Sequence, residues 1–179
     1  MKKIVILMIC NGLVFAGGMA YNQVTDFREK KSNSKEKALY INECGSCHMP
    51  YQPQFLPKKS WIKMMKNLDN HFKTDATVEP EDYKNLKDFL LKNASDSKES
   101  KRVGKYYRKI ANSIPKHKTL LRISNAPYFQ KEHREFPKKY ITQKEVKSIA
   151  NCIACHKDAE KGTYQERSIF IPNYGRWDD

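Results

Sequence analysis

Apolar residues come in short, separated groups along this chain, and their spacing predicts a mainly helical protein. The first group, Ile4 to Phe15, is broken only by Asn11 and Gly12. It follows Lys2 and Lys3 and precedes Gly18-Met19-Ala20, which gives it the basic, apolar and small-residue regions of a secretory signal over 1–20. Val14-Phe15-Ala16 offers an alternative cleavage point. The group is too short and interrupted for an ordinary membrane-spanning helix, although an uncleaved anchor would share the same apolar core. Cys10 follows Met8 and Ile9 with no small residue ahead of it, which is wrong for a lipoprotein cysteine.

Val24 to Lys37 is polar and reads as a tail running into a helix. Ala38, Leu39, Tyr40 and Ile41 carry that helix to Cys44. Pro50, Pro53 and Pro57 make Met49 to Lys59 an extended loop, with Tyr51, Phe55 and Leu56 as its apolar content. Ser60 then looks like an N-cap. Trp61, Met64, Met65, Leu68, His71 and Phe72 recur at spacings of three and four, which predicts one apolar stripe on one helix. A further helix opens at Thr77 to Pro80, turns Tyr83, Leu86, Phe89 and Leu90 inward, and ends near Asn93.

Ala94 to Lys105 is rich in Ser, Lys and Glu and has no apolar period, which places a domain boundary there. The expected organisation is a domain over 21–95, a linker over 96–109 and a second domain over 110–179. In the second half, Asn125-Ala126-Pro127 reads as a cap and first turn. Phe129 and His133 share a helical face, with Phe136 three residues on, and the helix stops before Pro137. Val146 and Ile149 lead into Cys152, and Gly162 ends a helix after Ala159-Glu160-Lys161. Ile169 to Ile171 is a short extended segment, and Arg176-Trp177-Asp178-Asp179 either lies over the edge of a bound group or trails in solvent.

The candidate chemistry lies in a pattern that occurs twice, Cys44-Gly45-Ser46-Cys47-His48 and Cys152-Ile153-Ala154-Cys155-His156. C-x-x-C-H is the attachment pattern of a c-type haem. Two thiols add to the vinyl groups on one side of the macrocycle, and the adjacent imidazole binds the iron. A single match could be a redox dithiol or half a zinc site. Here two matches behind an export signal use every cysteine except Cys10. The implied cofactors are two covalently attached haem c groups on Cys44, Cys47, His48, Cys152, Cys155 and His156.

Only five histidines exist, and three remain for the opposite faces of the two irons. For the first, His71 competes with Met64 and Met65, and imidazole is the stronger ligand in both oxidation states. For the second no methionine follows Met65, so the choice is His133 or His117. His133 sits among Tyr128, Phe129 and Phe136, which can pack on a macrocycle, whereas His117 lies between Lys116 and Lys118. The expected iron ligands are therefore His48, His71, His133 and His156.

Composition sharpens this. Charged residues make up 30% of the chain, a polarity that drifts toward disorder unless the cofactors supply apolar mass. The formal charge of +14 falls to +12 once Lys2 and Lys3 leave with the signal. That excess suits an acidic partner through electrostatic steering. Nucleic acid is an unsuitable partner for an exported cytochrome. With two imidazoles on each iron no position is left for substrate, so the expected role is an electron carrier, not an enzyme. A peroxidase-like or sulfur-compound oxidoreductase, or a haem-based gas or redox sensor, would need a displaceable ligand.

These residues resemble the soluble dihaem cytochrome c family. The likeness is carried by Glu43 to His48, Tyr51, Pro53, Leu56-Pro57, Ser60-Trp61, Leu68 and His71-Phe72. It continues through Pro127, His133, Asn151-Cys152, Ala154 to His156, Ala159-Glu160, Gly162 and Ile171-Pro172. The resemblance implies a mainly α protein with a class I cytochrome c-like N-terminal haem domain and a small, irregular, helical C-terminal haem domain. It also implies bis-histidine iron, His48 with His71 and His133 with His156. It implies electron donation to a small oxygen-binding monohaem cytochrome through electrostatic docking. The signal adds a periplasmic location, the charge an acidic redox partner, and a membrane electron donor is a further candidate partner. The lysine-rich stretch after residue 93 departs from the family pattern and bears on the partner.

Overall fold

Helix α1, residues 34–45, runs into the first cysteine motif, as the Ala38 to Ile41 group predicts. The computed structural model describes residues 34–102 and 105–177, so the signal expected over 1–20 and most of the polar tail lie outside the described residues. Tyr40 is buried on α1, and its hydroxyl donates to the Tyr51 carbonyl, tying the helix to the proline-rich loop. That loop turns once as a 3-10 segment at Pro53–Phe55 and buries Phe55 and Leu56.

Helix α2 spans Lys58–Met65 and turns Trp61 and Met65 inward, with the Trp61 indole N–H donating to the Pro53 carbonyl at 2.8 Å. Ser60 is not its N-cap. Pro57 holds that position, and Ser60 lies inside the first turn, fully buried. The free N–H of Lys58 is satisfied from far along the chain, by Asp96 Oδ1 at 2.8 Å. Nor does the helix continue to His71. The Asn67 amide folds back onto the Lys63 carbonyl at 2.6 Å, and Leu68–Asn70 forms a separate 3-10 turn. An asparagine side chain competing for the last carbonyls ends a helix that apolar spacing alone would extend.

Helix α3, Pro80–Asn93, matches its sequence pattern closely. Proline opens it, Glu81 and Asp82 sit in its first turn and Lys92 in its last, all favourable to the helix dipole. Leu86, Phe89 and Leu90 are buried against α2 and the loop, each such side chain contributing about 1.5–3 kcal/mol.

The stretch expected to be a linker is built into the fold. It lies within the compact unit Glu36–Asp179. Ala94, Ser97 and Ser100 are buried, Ser95 N–H donates to the Leu56 carbonyl at 3.0 Å, and Ser100 Oγ donates to the carbonyls of Ser95 and Ser97. Small polar residues satisfy one another here and leave no apolar period to read. Of the segment expected as a linker over 96–109, the part up to Ser100 packs on the first half.

The second half continues with α4 (Lys105–Ser113), α5 (Pro127–Glu132), α6 (Lys138–Thr142) and α7 (Cys152–Cys155). It ends in a two-stranded antiparallel hairpin, β1 (Phe170–Ile171) paired with β2 (Gly175–Arg176). One buried cluster crosses both halves, from Tyr40, Phe55, Trp61 and Phe89 to Ile114, Ala126 and Phe129. A smaller one holds Val146, Ala154 and Cys155, with Phe136 and Ile169 packed on it. Trp177 covers Phe136 at a ring separation of 5.1 Å and lies near Tyr140. Gly162 ends its turn left-handed at φ 76°, and a side chain there would collide with the Tyr107 hydroxyl.

Candidate haem sites

The end of α1 and the turn after it set out Cys44, Cys47 and His48. His48 Nδ1 donates to the Met49 carbonyl at 2.7 Å, which fixes the tautomer and leaves Nε2 with a free lone pair. The ring facing it belongs to His71, not to Met64 or Met65. Their centres are 6.2 Å apart and their planes 20° from parallel.

His71 is presented by a tight turn and not by a helical face. It follows the 3-10 turn, bridges to Thr74, and precedes two left-handed residues, Phe72 at φ 53° and Lys73 at φ 76°. Phe72 sets its ring edge-on to His71 at 4.7 Å, and the Arg122 guanidinium lies over Phe72 at 3.9 Å from its centre. Arg122 comes from the second half of the chain, so both halves build this site. Burial first, then the positive charges of His48 and Arg122, hold His71 below the usual imidazole pKa.

The second site pairs α7 with the end of α5. His133 caps α5, and its Nδ1 donates to the Phe129 carbonyl at 2.9 Å. Phe129 is stacked on its ring, centres 4.0 Å apart and planes 12° from parallel. His156 follows Cys155 and faces His133 at 6.3 Å, with the planes crossed at 69°. Burial, then the neighbouring His133, lowers the His156 pKa to about 4. Burial likewise lowers His133, against a raising effect from its bond to Phe129 and from Glu132. Neutral rings are the state that a metal needs. The His156 Nδ1 is buried without a hydrogen-bond partner. His117 is exposed and stands outside both pairs.

These residues fit the group that the motif implies. Two imidazoles bound through Nε2 to one iron put their ring centres about 6 Å apart, given metal–nitrogen bonds near 2 Å. The thiol chemistry agrees. Burial pushes Cys44 and Cys152 up to about 11 and raises Cys155, the opposite of the lowered pKa that makes a C-x-x-C pair a redox dithiol. Among the described residues no three His, Cys, Asp or Glu side chains converge as a metal cage.

The dihaem cytochrome c family model matches this chain over residues 40–164. The chain belongs to the dihaem cytochrome c family. It is similar in structure to a dihaem cytochrome c from Shewanella baltica OS155, at 30% identity and a TM-score of 0.64, over 80% of this chain and 98% of that one. It is also similar to the dihaem cytochrome c of Rhodobacter sphaeroides, at 34% identity and a TM-score of 0.60, over 71% of this chain and 95% of that one. Comparison with curated proteins gives no match. This dihaem cytochrome c therefore carries two covalently bound haem c groups and works in haem-based electron transfer.

Arg122, Gln52 and Tyr164 enter these sites without any sequence signal that pointed to them. Gln52 Nε2 donates to the Ala159 carbonyl at 2.7 Å, and the Tyr164 hydroxyl donates to Gln52 Oε1 at 2.6 Å. Each is a lone residue in an irregular segment, where no period marks an inward face.

Proposed function

We propose that this protein is an exported electron carrier in which each iron is held by two imidazoles, His48 with His71 and His133 with His156. The observation that carries the reading is the facing of the two histidine pairs at 6.2 and 6.3 Å. Haem, when bound, supplies an iron that takes up and gives up one electron. The chain's part is to supply neutral, oriented imidazoles and to hold them while the charge on the site changes. His48 and His133 are oriented by backbone carbonyls, His133 further by Phe129 and His71 by Phe72. Two imidazoles on each iron would leave no position for a substrate, so the role is that of a carrier and not of an enzyme.

The net charge, +14 for the whole sequence and +12 without Lys2 and Lys3, supports an acidic redox partner, with nucleic acid outside the reading. The basic and apolar start of the chain supports export to the periplasm. No helix among the described residues is long and apolar enough to cross a membrane. The test is an absorption spectrum of the holoprotein, oxidised and reduced, with and without carbon monoxide. Two low-spin haems that ignore carbon monoxide are expected. A high-spin component, or a carbon monoxide adduct on the reduced protein, would sink the bis-imidazole carrier.

A further inference from the structure

The loop after the first cysteine motif reaches across to the second. Tyr51 lies against His48, ring centres 5.1 Å apart, and its hydroxyl donates to the Ala150 carbonyl at 2.7 Å, two residues ahead of Cys152. Its own backbone is held from α1, where the Tyr40 hydroxyl donates to the Tyr51 carbonyl. The next residue, Gln52, grips Ala159 and accepts from Tyr164, whose ring stands edge-on to His156 at 5.5 Å. Two adjacent side chains thus link the imidazole of one motif to the surroundings of the other.

The bond from Tyr51 matters because the other hydrogen bonds of this segment are local, the remaining tie to the first half being Ile149 packed on the shared buried cluster. Ala150 N–H donates to Ser148 Oγ, the Asn151 amide to the Val146 carbonyl and Cys152 N–H to the Ala150 carbonyl. These bonds shape the segment without placing it relative to His48.

We propose that Tyr51 is a positioning residue that couples the two haem sites, its ring set on the first proximal imidazole and its hydroxyl fixing the backbone that leads into the second motif. The proposal rests on His48 and His156 being iron ligands. In the half-reduced protein one electron passes between the sites, oxidising the donor and reducing the acceptor. Tyr51 exchanges neither proton nor electron in this step. It keeps the separation and orientation on which the passage depends, through a hydrogen bond whose length and direction are tightly constrained.

The test compares holoprotein variants by absorption spectrum, by equilibrium redox titration and by the rate of intramolecular electron exchange after pulsed partial reduction. Tyr51→Phe keeps the ring and loses the hydroxyl. It is expected to stay low-spin at both sites, to slow the exchange several-fold and to change the gap between the two potentials. Tyr107→Phe is the control, because the Tyr107 hydroxyl also crosses between the halves, to the Gly162 carbonyl at 2.9 Å. It should loosen the fold without moving the rate or the potentials. Tyr164→Phe removes the neighbouring tether and gives a second reading should Tyr51→Phe fail to mature, with slower exchange again expected. Tyr51→Phe with unchanged rate and unchanged potentials overturns the proposal, as does Tyr107→Phe slowing the exchange equally. High-spin haem in the unmodified protein would overturn the ligand assignment, and this proposal with it.

Discussion

Phe129 lies flat on His133, ring centres 4.0 Å apart, while the His133 Nδ1 donates to the carbonyl of that same phenylalanine. One residue therefore sets both the plane and the tautomer of the imidazole, its side chain doing the first and its backbone the second. Phe129→Ala removes only the plane. Its cost in holoprotein stability is expected to be about 3–5 kcal/mol, as for other buried Phe→Ala changes, and Phe129→Leu should cost less. Denaturant midpoints measure both. Equal midpoints for Phe129→Ala and wild type would show that the stacking contributes nothing.

His71→Ala and His133→Ala should each turn one haem high-spin and open it to carbon monoxide. The two sites are told apart by their ring planes, nearly parallel at 20° in the first and crossed at 69° in the second. Imidazole orientation sets the splitting of the iron d orbitals, so the low-spin electron paramagnetic resonance signals should differ. His71→Ala is expected to remove one signal and His133→Ala the other. His117→Ala, a change outside both pairs, should alter neither. Loss of a signal in the His117 variant would mean that the pairing is wrong.

Much of this was readable from sequence, and the reason is local. The C-x-x-C-H spacing is set by the cofactor, α3 follows its apolar period and its caps, and Gly162 ends its turn where only a residue tolerant of positive φ sits easily. His71 and His133 were legible as the rings facing His48 and His156 because so few histidines compete. The element carrying His71 was not. The side chain of Asn67 ends the helix, and Leu68 and His71 fall on helical spacing by coincidence. The joining of the halves was hidden for a different cause. Beside the shared buried cluster, it runs through single hydrogen bonds between distant positions, Lys58 to Asp96, Tyr51 to Ala150 and Gln52 to Ala159, which leave no periodicity in either partner.

A fragment ending at residue 95 tests that joining. A polar linker over 96–109 would make such a fragment a soluble monohaem domain. The contacts that cross residue 95 lead to the opposite expectation. The fragment lacks the Asp96 cap of α2, the Tyr107 ring set edge-on to Phe55 at 4.8 Å, and Arg122 over Phe72. Expressed with the haem-attachment machinery, it is expected to aggregate or to be degraded before haem is attached. A monomeric fragment with a low-spin spectrum would restore the independent domain.

Alkaline pH should loosen the contact between the motifs. Burial, then the nearby Cys152, pushes the Tyr51 phenol up to about 12, with Arg122 acting the other way. A tyrosine in the unfolded chain ionises near pH 10. A group whose folded pKa is raised contributes stability that is complete below the unfolded value and is lost as pH rises through the folded one. The contribution of Tyr51 is therefore expected to be full up to about pH 10 and to disappear toward pH 12. Tyr51→Phe should be less stable than wild type at neutral pH and should lose less between pH 10 and 12. Parallel stability curves for the two proteins across that interval would contradict the sign.

The positive charge makes a prediction about partners. The chain carries 34 lysines and arginines against 20 acids. If that excess guides an acidic redox protein to the surface, electron transfer should be fast at low salt and should slow steeply as ionic strength rises. Screening shortens to about 8 Å at physiological salt, which removes attraction acting beyond the contact zone. A charged surface that serves solubility alone predicts a nearly flat dependence. The second-order rate is measured against salt with two acceptor proteins of similar potential, one acidic and one basic. The acidic acceptor should be faster at low salt, and the two rates should converge at high salt. A rate to the acidic acceptor that stays flat, or that never exceeds the rate to the basic one, would remove steering from the account of how this carrier finds its partner.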